Sequence, residues 1–130
     1  AVMAGARGYI VWKYIGLDGL DFRYLAQTNA ILARVEDIIL DGGPANVRIA
    51  RSDTPVNLRA RTHQGKTVVL VSEYATAGPV TVSLQVNDAG GGGKNVVDLY
   101  SGASVGKLSG AKKTFDVTLD TDRARIFLIE

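Results

Sequence analysis

The sequence predicts a mainly β protein: an antiparallel Greek-key β-sandwich of about seven strands, preceded by a strand and an amphipathic α-helix. Three observations carry this expectation. From Asn46 onward, apolar and polar residues alternate with period two in short runs separated by turn signals. Between Phe22 and Leu40 the apolar period is that of a helix instead. The composition changes at Gly42-Gly43-Pro44, where glycine supplies left-handed geometry and proline cannot continue a helix. The chain therefore divides into residues 1–43, a strand–helix segment, and residues 44–130, the sandwich.

The first element, Arg7 to Ile15, contains Gly8-Tyr-Ile-Val-Trp-Lys-Tyr-Ile, an almost unbroken apolar and aromatic run. Such a run fits a strand covered on both faces, as in a parallel sheet. After a loop at Gly16-Leu-Asp-Gly-Leu, Leu25, Thr28, Leu32, Val35 and Ile39 repeat at helical spacing, and Tyr24, Ile31 and Ile38 widen the stripe. Arg23, Gln27, Arg34, Asp37 and Asp41 take the opposite face, and Asp18 or Asp21 caps the helix. Strand, loop and helix make half of a βαβ unit whose partner strands are not in this chain.

The sandwich strands are expected at Val47–Arg51, Val56–His63, Thr67–Tyr74, Val80–Val86, Val96–Tyr100, Thr114–Leu119 and Ala124–Ile129. Val80, Val82, Leu84 and Val86 face one way, and Thr81, Ser83 and Gln85 the other. Phe115, Val117 and Leu119 repeat the same logic. The turns fall at His63-Gln-Gly, Ala77-Gly-Pro, Gly90 to Gly93, Ser101-Gly, Ser109-Gly and Asp120-Thr-Asp.

Composition excludes several chemistries. The chain has 130 residues, 46% hydrophobic and 22% charged, which is globular rather than disordered. It has no cysteine, so disulfides, thiolate metal sites and cysteine nucleophiles are excluded. One histidine, His63, and no Gly-x-Ser-x-Gly elbow leave no serine triad. Asp120 and Asp122 in one turn are read as solvated rather than as a calcium site, and no cofactor is implied. The net charge of +2 is weak, and Arg59, Arg61 and His63 alternate on one strand face as a solvated row without interleaved aromatics. Neither nucleic acid nor membrane is an expected partner, since no apolar run reaches the ~18 residues of a membrane span. No signal peptide is visible, and a first residue Ala1 predicts a processed chain or a piece of something longer.

Aromatic side chains remain the best candidates for binding, because the C–H face of a pyranose packs on a π-surface. Trp12 is the sole tryptophan, and core packing is its competing role. Tyr74 and Tyr100 lie near strand ends, whereas Phe115 shares its face with Val117 and Leu119 and belongs to the core.

Two stretches resemble a known family. Met3-Ala-Gly-Ala-Arg-Gly-Tyr-Ile-Val-Trp-Lys-Tyr resembles the last barrel strand of (β/α)8 glycoside hydrolases of the β-galactosidase-like clan, and Asn29-Ala-Ile-Leu to Ile38-Ile-Leu-Asp-Gly resembles the closing helix of that barrel. His63-Gln-Gly-Lys-Thr-Val-Val-Leu-Val, Val97-Asp-Leu-Tyr-Ser-Gly, Phe115-Asp-Val-Thr-Leu and Ala124-Arg-Ile-Phe-Leu-Ile are similar to the β-sandwich appended to many such enzymes. The resemblance implies that the catalytic glutamates sit on the fourth and seventh barrel strands, which this chain lacks, so it is not an enzyme by itself. It also places Trp12 where the clan supplies a tryptophan to the sugar subsite, often before a cis peptide. Lys13 departs from the small polar residue usual there.

Two readings follow. In the first, the chain is a non-catalytic C-terminal accessory domain of a glycoside hydrolase. Its partners are the catalytic barrel of the parent enzyme and, through Trp12, Tyr74 and Tyr100, a polysaccharide; its exposed apolar helix face leads to self-association. In the second, it is a free-standing carbohydrate-binding module. By analogy, either acts in an extracellular or periplasmic setting.

Overall fold

Helix α1, Gly19–Ala33, begins at a capping box. The Asp18 carboxylate accepts from the Leu20 N–H at 2.8 Å and the Asp21 N–H at 3.1 Å, and the Asp21 carboxylate accepts from the Asp18 N–H at 3.1 Å. Of the two cap candidates Asp18 is the cap and Asp21 lies in the first turn, so the helix begins at Gly19, three residues before the expected Phe22, and takes in Gly19 and Leu20 of the expected loop. The computed structural model describes residues 16–87 and 92–130, so the strand expected at Arg7 to Ile15 lies outside the described residues.

The single helix expected to reach Leu40 is two helices. The Arg34 and Val35 N–H groups bond to the Ile31 and Leu32 carbonyls at 3.2 and 3.1 Å, a tightened i→i+3 turn. Val35 then leaves helical geometry, with φ −132° and ψ 16°, and α2 follows at Glu36–Asp41. Apolar spacing is preserved across the break, which is why periodicity did not reveal it; no glycine or proline marks the turn. The change of direction lays α2 against strands β3 and β4.

Gly42 ends α2, its N–H bonded to the Ile38 carbonyl at 3.1 Å. A Cβ at this position would stand 2.2 Å from the Ile38 oxygen and 2.8 Å from the Thr62 oxygen. Because both obstacles are backbone, Gly42→Ala should lower stability by about 1–3 kcal/mol, as overpacking does. Urea denaturation checks this, with the loss expected in the midpoint and not in the slope.

Among the described residues nine strands follow: β1 Gly43–Pro44, β2 Val47–Ser52, β3 Asn57–His63, β4 Lys66–Ser72, β5 Val80–Val86, β6 Lys94–Asp98, β7 Ser104–Leu108, β8 Thr114–Leu119 and β9 Ala124–Ile129. Three match expectation to the residue, and the strand expected to reach Tyr74 stops at Ser72. The expectation of about seven missed β1 and β7. β7 carries Gly106 at φ 155°, a conformation that hides a strand from propensity.

The strands form a six-stranded sheet ordered β1-β3-β4-β9-β6-β7 and a three-stranded sheet ordered β2-β5-β8, antiparallel throughout. β7 meets β8 across one side of the sandwich, and β2 meets β3 across the other. β6–β9 and β2–β5 are therefore each a Greek key, because the fourth strand returns to lie beside the first.

Two cores hold three layers together. Between the sheets lie Val69, Val71, Val82, Leu84, Phe115, Leu119, Phe127 and Ile129 with their buried neighbours. On the outer face of the larger sheet, Ile31, Val35, Ile38 and Ile39 of the helical segment pack on Val68, Leu99 and Leu128. This second core explains why β4 and β9 read as continuous apolar runs: successive side chains enter different cores.

The row Arg59, Arg61 and His63 also lies on that outer face, since Leu58 and Ala60 point into the sandwich. Of the three only Arg59 is exposed. Arg61 and His63 are half-buried, and Arg61 donates to the Gly42 carbonyl, so this row is partly tied to the helix layer rather than wholly solvated.

Candidate functional site

Four connections converge on one end of the sandwich: residues 53–56, 73–79, 99–103 and 120–123. Strand direction places them there. β4 and β6 both run antiparallel to the intervening β9, so both finish where β9 begins.

The inward-facing positions at this end are charged. Glu73 continues the parity of Val69 and Val71, Asp98 that of Val96, and Arg123 and Arg125 that of Phe127 and Ile129. The Glu73 side chain is 1% exposed and that of Asp98 0%. Each carboxylate pairs with an arginine, Glu73 with Arg123 and Asp98 with Arg125. A buried charge is tolerated only when paired and hydrogen-bonded.

Glu73 also accepts from the Ala75 N–H, from the Thr76 N–H at 2.9 Å and from the Thr76 hydroxyl at 2.7 Å. Arg123 reaches further, donating to the carbonyls of Glu73 at 3.0 Å, Thr76 at 3.0 Å and Gly78 at 2.7 Å. One guanidinium thus fastens the β4–β5 connection to the start of β9. Asp98 accepts from the Tyr100 and Ser101 N–H groups at 2.8 and 3.3 Å, which shapes the β6–β7 turn.

These bonds leave the two buried carboxylates committed to holding loops. Among the described residues, no group of three or more His, Cys, Asp or Glu can hold a metal ion. Asp122 lies 3.7 Å from Arg125 and so adds a third carboxylate to the charged end. His63 sits at the far end of the larger sheet, in the β3–β4 hairpin.

Two of the three aromatic candidates come to the charged end, Tyr74 just past β4 and Tyr100 just past β6, the two strands that flank β9. Tyr74 follows Glu73 and is 72% exposed; Tyr100 follows Leu99 and is 37% exposed. Tyr74 borders a shallow recess of about 410 Å³ with Pro55, Val56, Asn57 and Ala75. Trp12, with the peptide to Lys13, lies outside the described residues. The charged quartet was not anticipated from sequence, although its strand parity was the available signal.

No protein-family model matches the chain, and no curated protein matches it significantly. Among solved structures, a GH42 β-galactosidase from G. stearothermophilus, determined as a catalytic mutant, is similar over 83% of this chain at 12% identity, with a TM-score of 0.38. This chain spans only 12% of that enzyme's length. The comparison gives a weak, partial likeness to a glycoside hydrolase.

Proposed function

We propose that this chain is a non-catalytic accessory domain of a glycoside hydrolase, whose helix layer docks against the catalytic barrel of the parent enzyme. One observation carries the reading. The apolar stripe of α1 includes Leu20, Tyr24 and Ile31 at near-helical repeats; Ile31 is buried, but Leu20 and Tyr24, with Phe22, are at least half exposed. The stripe runs off the sheet before it ends. Large apolar side chains left this way mark a surface that meets a partner. Resemblance of the opening segment to a barrel strand and closing helix supports the barrel as that partner.

The coding sequence upstream of Ala1 tests this. Seven further strand–helix units, with glutamates ending the fourth and seventh strands, are expected. A stop codon or an unrelated domain there overturns the reading.

A second reading is favoured by Tyr74 alone: a carbohydrate-binding module in which the exposed ring and its recess receive a sugar face. Affinity electrophoresis over a polysaccharide panel is expected to show retardation that Tyr74→Ala abolishes. Stability should change by less than about 0.5 kcal/mol, since the side chain is exposed. Absence of retardation on every glycan removes this reading.

A further inference from the structure

The four sheet edges are not alike. Among the described residues, β1 and β7 border the larger sheet, and β2 and β8 the smaller. Natural edges are blunted by prolines, bulges, short strands and charges, because an open edge is a template for another strand. β1 has two residues, one of them Pro44. β2 breaks register between Ile49 and Arg51 and carries exposed Arg48 and Arg51. β7 breaks register opposite Val96 and Val97 and contains Gly106 and Lys107.

β8 has none of these devices apart from Asp116, although β7 of the other sheet stands beside part of its edge. All six residues, Thr114 to Leu119, pair one-to-one with β5, and the register is unbroken. A recess of about 270 Å³ opens along this edge between β7 and β8.

The flanks of β8 identify what fits there. Lys112 and Lys113 precede the strand, Asp120 and Asp122 follow it, and all four are exposed. Two identical strands paired antiparallel would set the basic start of one against the acidic end of the other, twice. We infer that β8 is a self-association edge that joins a second copy of this chain about a two-fold axis, merging two three-stranded sheets into one of six strands. The inference is independent of the function proposed above.

Register follows from side-chain parity. Opposed residues must share a face, so the two-fold passes through a residue and not between two. Centred on Asp116, the dimer would place two aspartates opposite each other, which is unfavourable. Centred on Val117, it sets Phe115 against Leu119, Asp116 against Thr118 and Lys112 against Asp122. The geometry selects Val117. Such a contact is isologous and closes at two copies.

Sedimentation velocity of the full chain across a concentration series tests the inference. A reversible monomer–dimer equilibrium is expected. Lys112→Glu/Lys113→Glu and Asp120→Lys/Asp122→Lys should each weaken association about tenfold or more, as like charges meet, and an equimolar mixture of the two should restore it. Circular dichroism establishes that the variants remain folded. Because the chain has no cysteine, a mixture of Asp116→Cys and Thr118→Cys chains reads the register directly: oxidation should yield the mixed disulfide over either homodimer. A chain that stays monomeric, a dimer unchanged by both charge reversals, or one lost instead through Leu20→Ser/Tyr24→Ser on α1 overturns the inference.

Discussion

Arg123→Ala is expected to destabilise the protein by about 3–5 kcal/mol, the cost of stranding one partner of a buried ion pair. Glu73, its partner, is 1% exposed and would be left in the sandwich interior without a cation beside it. The loss extends beyond the pair. The same guanidinium satisfies carbonyls at Glu73, Thr76 and Gly78, which lose that donor when the side chain is cut back. Urea denaturation measures the effect, and the double variant Glu73→Ala/Arg123→Ala apportions it. The double variant should be more stable than the sum of the two single losses predicts, because removing both charges leaves none stranded. Additive losses would mean that the pair is not coupled.

Phe127→Ala is expected to cost about 3–5 kcal/mol by a different route, the cavity left by a large side chain in a close-packed interior. Phe127 is 2% exposed and meets Phe115 edge-to-face, with ring centroids 5.4 Å apart. It lies on β9, the strand shared between β4 and β6, so neighbours on both sides lose contacts. Phe127→Leu should retain most of the stability, since it conserves much of the volume. A Phe127→Ala chain with an unchanged denaturation midpoint would mean that this ring does not pack the core.

Local patterns made most of the sandwich legible. Val80–Val86 and Thr114–Leu119 alternate strictly, because each is buried on one face only, and sequence and structure agree on their limits. Asp18 and Asp21 announced the start of α1 for an equally local reason: a capping box closes within four residues. The break at Arg34 and Val35 was hidden, since the apolar spacing continues through it and the turn serves the route of α2 over β3 and β4. β7 was hidden by Gly106, whose conformation suits a bulged edge.

At the candidate site the division is the same. Tyr74 and Tyr100 were identifiable as strand-end aromatics, but their convergence on one end depends on β9 running between β4 and β6. Glu73, Asp98, Arg123 and Arg125 read individually as polar residues beside turns. Only the assembled sheet turns all four toward the interior and pairs them.

The sequence by itself determined the β class, the alternation of most strands and the two candidate caps of the helix, because each is written in residues a few positions apart. The tertiary structure alone decided the order of strands, the covering of one sheet face by α1 and α2, and the pairing of Glu73 with Arg123 and Asp98 with Arg125. Those partners lie 50 and 27 positions apart along the chain. Contacts over such separations arise from how whole layers pack, and no local pattern encodes them.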